Sequence, residues 1–236
     1  NIDEEHSSRA KGETLIDTLK TLEAMGVNYF IIRNKHSGVF HDLLKHIENK
    51  SRLINAGESN ISHPTQGLLD LLTIRRHKKD FQNIKAVILG DIAHSRVARS
   101  LTEGLGKMNT GEIILVSPKD YQPDMALFKG AKYTDNTESA LRNADVVVTL
   151  RVQKERMENE TQFIDLSQYY KDYGLTAKRL KLCKKDAIVM HPGPMNRGVE
   201  IETIVADGPQ SVITEQVTNG IATRMAILSI IEKSAD

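Results

Sequence analysis

Arginines, a histidine and two tight turns recur in this 236-residue chain at positions where hydrophobic runs end. Arg33 follows Val-Asn-Tyr-Phe-Ile-Ile, and Ser62-His63-Pro64-Thr65-Gln66 opens a helical pattern. Gly90-Asp91 with Ser95-Arg96 comes after Ala-Val-Ile-Leu. Arg151-Val152-Gln153-Lys154-Glu155-Arg156 comes after Val-Val-Val-Thr-Leu, and His191-Pro192-Gly193-Pro194 after Ala-Ile-Val-Met. An Arg just past a buried strand can grip a planar carboxylate or phosphate with two parallel hydrogen bonds. Arg33, Arg96 and Arg151 together imply a cleft for a small substrate carrying several negative charges. His63 sits at a helix entry, where unpaired N–H groups and the dipole favour anions and disfavour imidazolium. A neutral ring that donates a hydrogen bond fits that position. Gln66 lies on the same side of the first turn. The pair can therefore contact one carbonyl group, or His63 can be an ordinary helix cap with its ring satisfied. Pro192 and Pro194 around Gly193 make a rigid turn whose carbonyls suit a ligand's amino group. Ser7 and Lys11 flank a polar segment that, alone, reads as an ordinary loop.

Other chemistries are poorly served. No acidic cluster offers a metal site. The single cysteine, Cys183, rules out an internal disulfide framework and a multi-cysteine zinc site. No Cys-His pair or G-x-S-x-G elbow supplies a covalent nucleophile. The turn after Leu89 lacks the G-x-G-x-x-G of a dinucleotide site, so an NAD-dependent oxidoreductase is a weak reading. Lys plus Arg total 32 and Asp plus Glu 31, a net charge of +1 that leaves no footprint for nucleic acid. No apolar run reaches the roughly 18 residues of a membrane span. Cysteine usage and the absence of a signal peptide predict a cytoplasmic protein.

Helical and extended patterns alternate along the chain, which predicts an α/β fold with parallel sheets and helical crossovers. A helix is expected over residues 14–25, where Leu15, Leu19, Leu22 and Met25 share one face. Residues 27–32 read as a strand buried on both faces. Residues 40–47 read as a second helix and Leu53-Ile54 as a weak strand. A helix starting at Pro64 has Leu68, Leu69, Leu72 and Ile74 on its apolar side. Arg75 to Lys79 is either a solvated helix end or a phosphate-binding segment. Strands are expected over 86–89, 113–116, 146–150 and 187–190. Helices are expected near 96–106, 138–143 and 177–184. A long, largely apolar helix spans 212–231, weakest at Asn219-Gly220.

The segments around His63, Ser95-Arg96, Arg151 and His191, with Lys11-Gly12-Glu13-Thr14, resemble the aspartate carbamoyltransferase catalytic-chain family in order and spacing over essentially the whole sequence. The resemblance implies that Arg33, His63, Gln66, Gly193, Pro194 and Ser7 bind carbamoyl phosphate. It gives Arg33, His63 and Gln66 the catalytic contacts. Lys11, Arg96, Arg151 and Gln153 would hold aspartate. Ser7 and Lys11 match a loop that crosses to a neighbouring subunit, which implies a homotrimer with shared sites. A regulatory chain or a dihydroorotase is a further possible partner. No metal or cofactor is implied. The implied architecture is two Rossmann-like parallel-sheet domains. Residues 1–78 form an incomplete carbamoyl phosphate domain, residues 79–211 an aspartate domain, and 212–236 a helix returning to the first.

Two alternatives stay open at this level. Ornithine carbamoyltransferases share the first-domain pattern, but have His-Cys-Leu-Pro where this chain has His191-Pro192-Gly193-Pro194. The family's Ser-Thr-Arg-Thr-Arg phosphate motif lies upstream of the matched loop and is absent here. The sequence opens Asn1-Ile2-Asp3 without Met, so a missing beginning is expected. If the motif is truly lacking, a non-catalytic scaffolding homologue is the alternative.

Overall fold

The structure is a computed structural model and describes residues 12–152 and 165–233. α1 (Leu15–Ala24) begins where the Thr14 hydroxyl accepts the Asp17 N–H. β1 (Tyr29–Asn34), α2 (Val39–Leu43), β2 (Arg52–Glu58) and α3 (Pro64–Lys78) follow. β1 and β2 pair in parallel as a two-stranded sheet over Leu19, Phe30 and Leu43. The expectation that β1 is buried on both faces fails: Phe30 is 5% exposed but Ile31 is 63%. Side chains of α1 and α2 cover only the Phe30 and Ile32 side, so the strand alternates with period two. The helix expected over 40–47 is shorter, ending at Leu43.

The second block comprises β3 (Lys85–Leu89), α4 (Arg96–Lys107), β4 (Glu112–Val116), β5 (Lys132–Thr134), α5 (Thr137–Leu141), β6 (Val146–Thr149), α6 (Leu166–Tyr173), α7 (Ala177–Leu180), β7 (Ile188–Met190) and α8 (Thr203–Ala206). Its five strands are all parallel, in the order β5-β4-β3-β6-β7. Alternate residues sort to opposite faces. Ala86, Ile88, Leu115 and Val148 pack with Leu101 and Leu105 of α4. Val87, Leu89, Val116 and Val147 pack with Leu141 and Val205 on the other side. The near-continuous Val/Ile/Leu runs of β3, β4 and β6 are what a sheet covered on both faces requires. The chain winds outward from β3 through β4 to β5, then returns to add β6 and β7 on the other side. That reversal opens a crevice at the carboxyl ends of β3 and β6, where ligands bind in such sheets.

α9 (Ile213–Lys233) returns from the second block to lie along α3. Its contacting face is not the apolar one. Gln216, Asn219 and Gly220 are buried, while Val217, Ile221 and Met225 are exposed. α3 is polar on the matching side. It buries Gln66, Asp70 and Thr73, whereas Leu68, expected on an apolar face, is exposed. Asn219 donates to Thr73 at 2.9 Å, so the buried amide is satisfied. The basic end of α3 proves to be a helix terminus, favourable for its dipole. There His77 meets Glu215 at 2.9 Å and Lys78 meets Asp186 at 2.8 Å. No described helix is long and apolar enough to cross a membrane.

Candidate active site

A cavity of about 460 Å3 lies where the two blocks face each other. Arg33, near the end of β1, contributes from one wall, with His63 and Gln66 at the start of α3. Ser95, Arg96 and Val97 enter at the start of α4, after β3. Leu150 and Arg151 follow β6, and Pro192, Gly193 and Pro194 follow β7. The three arginines therefore share one cavity, and no Asp or Glu is among its described lining residues. Ser7, Lys11, Gln153 and the 154–156 part of the motif lie outside the described residues.

Local sequence explains this convergence. Ser95 caps α4 by accepting the Ala98 N–H at 3.1 Å, which starts the helix at Arg96. The Arg96 guanidinium donates to the Ser59 carbonyl at 3.2 Å and crosses over Gly57. A Cβ at Gly57 would sit 2.8 Å from the Arg96 Cζ, and Gly57 has φ +126, so glycine is required twice over. Gly90 plays the same part between strands. With φ +145, its missing Cβ would lie 2.7 Å from the Leu150 carbonyl oxygen. The segments that carry Arg96 and Arg151 can thus approach closely.

His63 is not an ordinary cap. It occupies the N-cap position of α3 but its side chain makes no capping hydrogen bond. Its backbone N–H donates to the Ser100 hydroxyl at 2.8 Å, while Nδ1 is buried with no partner among the described residues. Burial, then the charges of Arg96, Arg224 and Arg33, lower its pKa to about 4. With the pKa that low the imidazole is neutral at physiological pH, as expected from the sequence, although burial and arginine charges rather than the helix dipole are the causes.

A buried polar chain backs the cavity. Gln66 Nε2 donates to Asp70 Oδ1 at 2.9 Å, and Gln216 Nε2 donates to the same oxygen at 2.6 Å. Gln216 Oε1 accepts the His191 N–H at 3.0 Å. The His191 ring accepts the Gly193 N–H at Nδ1, 2.8 Å, so its Nε2–H faces Glu200 at 3.2 Å. The ring thereby fixes the turn that carries Gly193 and Pro194. Among the described residues, no group of three His, Cys, Asp or Glu side chains is placed to hold a metal ion.

Comparison with known proteins gives this geometry a lineage. Residues 1–76 match the carbamoyl-P binding domain of aspartate/ornithine carbamoyltransferases, and residues 82–231 match their Asp/Orn binding domain. The chain belongs to the aspartate/ornithine carbamoyltransferase family. An aspartate carbamoyltransferase catalytic subunit from Ruthia magnifica subsp. Calyptogena magnifica is 49% identical over 231 residues, 98% of this chain and 72% of the relative. A counterpart from Vesicomyosocius okutanii subsp. Calyptogena okutanii (strain HA) is 48% identical over the same shares of each chain. The crystal structure of Trypanosoma cruzi aspartate transcarbamoylase with carbamoyl aspartate and phosphate superposes with a TM-score of 0.82, at 29% identity. That match covers 97% of this chain and 73% of the other. Ornithine carbamoyltransferase from Pyrococcus furiosus gives a TM-score of 0.80 at 27% identity, covering 92% and 70%.

Within this carbamoyltransferase, Arg33, His63 and Gln66 fall in the carbamoyl-P match, and Arg96, Arg151 and the 191–194 turn in the Asp/Orn match. The cavity therefore lies between the two matched segments. Reading the sequence missed Asp70 and Gln216 as parts of the site. The one signal for Gln216 is a polar stripe, Gln216, Asn219 and Thr223, at helical spacing on an otherwise apolar helix.

Proposed function

We propose that the chain transfers the carbamoyl group of carbamoyl phosphate to the α-amine of L-aspartate, giving N-carbamoyl-L-aspartate and phosphate. The observation that carries this reading is a cavity lined by Arg33, Arg96, Arg151 and neutral His63, with no carboxylate among its described lining residues. Two small acids fit such a lining. Ornithine, which presents a second ammonium, does not.

The neutral amine attacks the carbamoyl carbon while His63 and Arg33 donate hydrogen bonds to its oxygen as negative charge develops there. Each preorganised donor of this kind contributes about 2.7–4 kcal/mol to transition-state stabilisation. Gln66 and the carbonyls of the 191–194 turn hold the carbamoyl NH2 and the incoming amine. Arg96 and Arg151 clamp the aspartate carboxylates, with Gln153 and Lys11 assisting. The carbon–oxygen bond to phosphate then breaks, and the departing phosphate accepts the proton lost by the amine. No protein base is needed, and much of the acceleration comes from holding amine and carbonyl in contact. Residues 1–78 act as the carbamoyl phosphate domain and 79–211 as the aspartate domain. The active unit is a cytoplasmic homotrimer in which Ser7 and Lys11 of a neighbour complete each site.

Steady-state kinetics of Arg151→Ala in the intact protein tests the assignment. Loss of a bidentate charge-assisted contact raises the aspartate KM about tenfold or more. An unchanged aspartate KM removes Arg151 from the clamp.

A further inference from the structure

We propose that Asp70 is a positioning residue that orients the Gln66 amide and ties it, through Gln216, to the 191–194 turn on the opposite wall. The inference rests on the carbamoyl-transfer reading and adds a residue to it. Gln66, Asp70, Gln216 and His191 are 7%, 0%, 2% and 1% exposed, so their polar groups depend on one another for partners. The order of donors is fixed from one end. The His191 backbone N–H can only donate, so Gln216 must present Oε1 to it and its NH2 to Asp70. Oδ1 of Asp70 receives that NH2 and, by the same logic, the NH2 of Gln66.

Gln66 is thereby left with its carbonyl oxygen for the cavity that it lines. An acceptor at that point suits the NH2 of a carbamoyl group. The flipped amide would set its own NH2 against that donor. Asp70 and Gln66 lie one turn apart on α3, Gln216 lies on α9, and His191 opens the turn after β7. A single carboxyl oxygen of Asp70 thus links two walls of the cavity that belong to distant stretches of sequence.

The test is steady-state kinetics with side-chain amide NMR on the intact protein. Asp70→Ala is expected to raise the carbamoyl phosphate KM about tenfold, with a smaller fall in kcat. Asp70→Asn keeps an oxygen acceptor at the same place and is expected to return KM to within about threefold of wild type. A residue that only supports the fold would lower the melting temperature and the active fraction, leaving that KM unmoved. Gln216→Met cuts only the link to the turn and is expected to raise KM about threefold. A KM within twofold of wild type in Asp70→Ala overturns the proposal, as does Asp70→Asn performing no better than the alanine variant. If Asp70→Ala does not fold, an unchanged KM in Gln216→Met overturns it. The Gln66 Nε2 protons, assigned from their loss in Gln66→Met, are expected to exchange slowly in wild type and rapidly in the Asp70 variant. This signal is independent of turnover. A wild type that forms no carbamoyl aspartate defeats the functional reading, whereas Gln66 protons unaffected at Asp70→Ala defeat this one.

Discussion

His63 and Asp70 are both ionisable groups whose charged forms burial disfavours, and they respond to pH in opposite senses. For His63, burial and three arginines bring the pKa to about 4, well below the ordinary 6.5. The unfolded chain binds a proton between those values that the folded chain refuses, so this contribution to stability is lost as pH falls towards 4. The ring is expected to titrate with a midpoint near 4 by proton NMR; a midpoint between 6 and 7 contradicts its role as a neutral donor. His63→Ala is expected to lower kcat about 10²–10³-fold, measured at saturating substrates. Burial drives the Asp70 carboxyl the other way, up to about 7 from 3.8, against hydrogen bonds from Gln216 and Gln66 and the Arg224 charge. The stability linked to its retained proton is full below about 4 and is lost as pH rises through about 7. Urea unfolding at pH 5 and pH 8 is expected to show wild type losing more stability than Asp70→Asn over that interval. Equal losses would contradict the raised carboxyl.

At the scale of elements, two glycines decide how closely the arginine-bearing segments meet. Gly57→Ala places a methyl against the Arg96 guanidinium at a φ of +126, which L side chains rarely adopt. Destabilisation of about 1–3 kcal/mol is expected by thermal melting, with an increase in aspartate KM as Arg96 is displaced. A melting temperature and KM both unchanged would mean that Arg96 does not depend on this crossing. The strands β3, β4, β6 and β7 were legible because β-branched and aliphatic runs between breakers announce a sheet buried on both faces. β5 was not, since Lys-Tyr-Thr at a sheet edge has no apolar run to detect. α6 escaped for a related reason, as it buries only Tyr169. The direction of α9 was legible but its orientation was not. Periodicity assumes that the contacting face is apolar, whereas here Gln216 and Asn219 face the polar side of α3. The same substitution of polar for apolar contact hid Asp70, which looks like a solvated helix residue until α9 is laid across it.

For the whole molecule, the arrangement follows from winding direction. The sheet order β5-β4-β3-β6-β7 puts the reversal between β3 and β6, and α9 returns to brace α3 beside it. Residues as far as 161 positions apart in sequence, Arg33 and Pro194, then face one cavity whose charge suits two acids bound side by side. Sequence spacing disclosed the individual arginines, because each stands near the end of a strand. Their convergence was a matter of topology, and the choice of aspartate over ornithine rests on the sign of charge that results. Carbon-13-labelled carbamoyl phosphate, offered to the intact protein with equimolar aspartate and ornithine and followed by NMR, examines that choice in one tube. The label is expected in N-carbamoyl-L-aspartate, with phosphate released in equal amount and none of the label on ornithine. Label on ornithine, or on neither amine, would contradict a cavity built to join carbamoyl phosphate to aspartate.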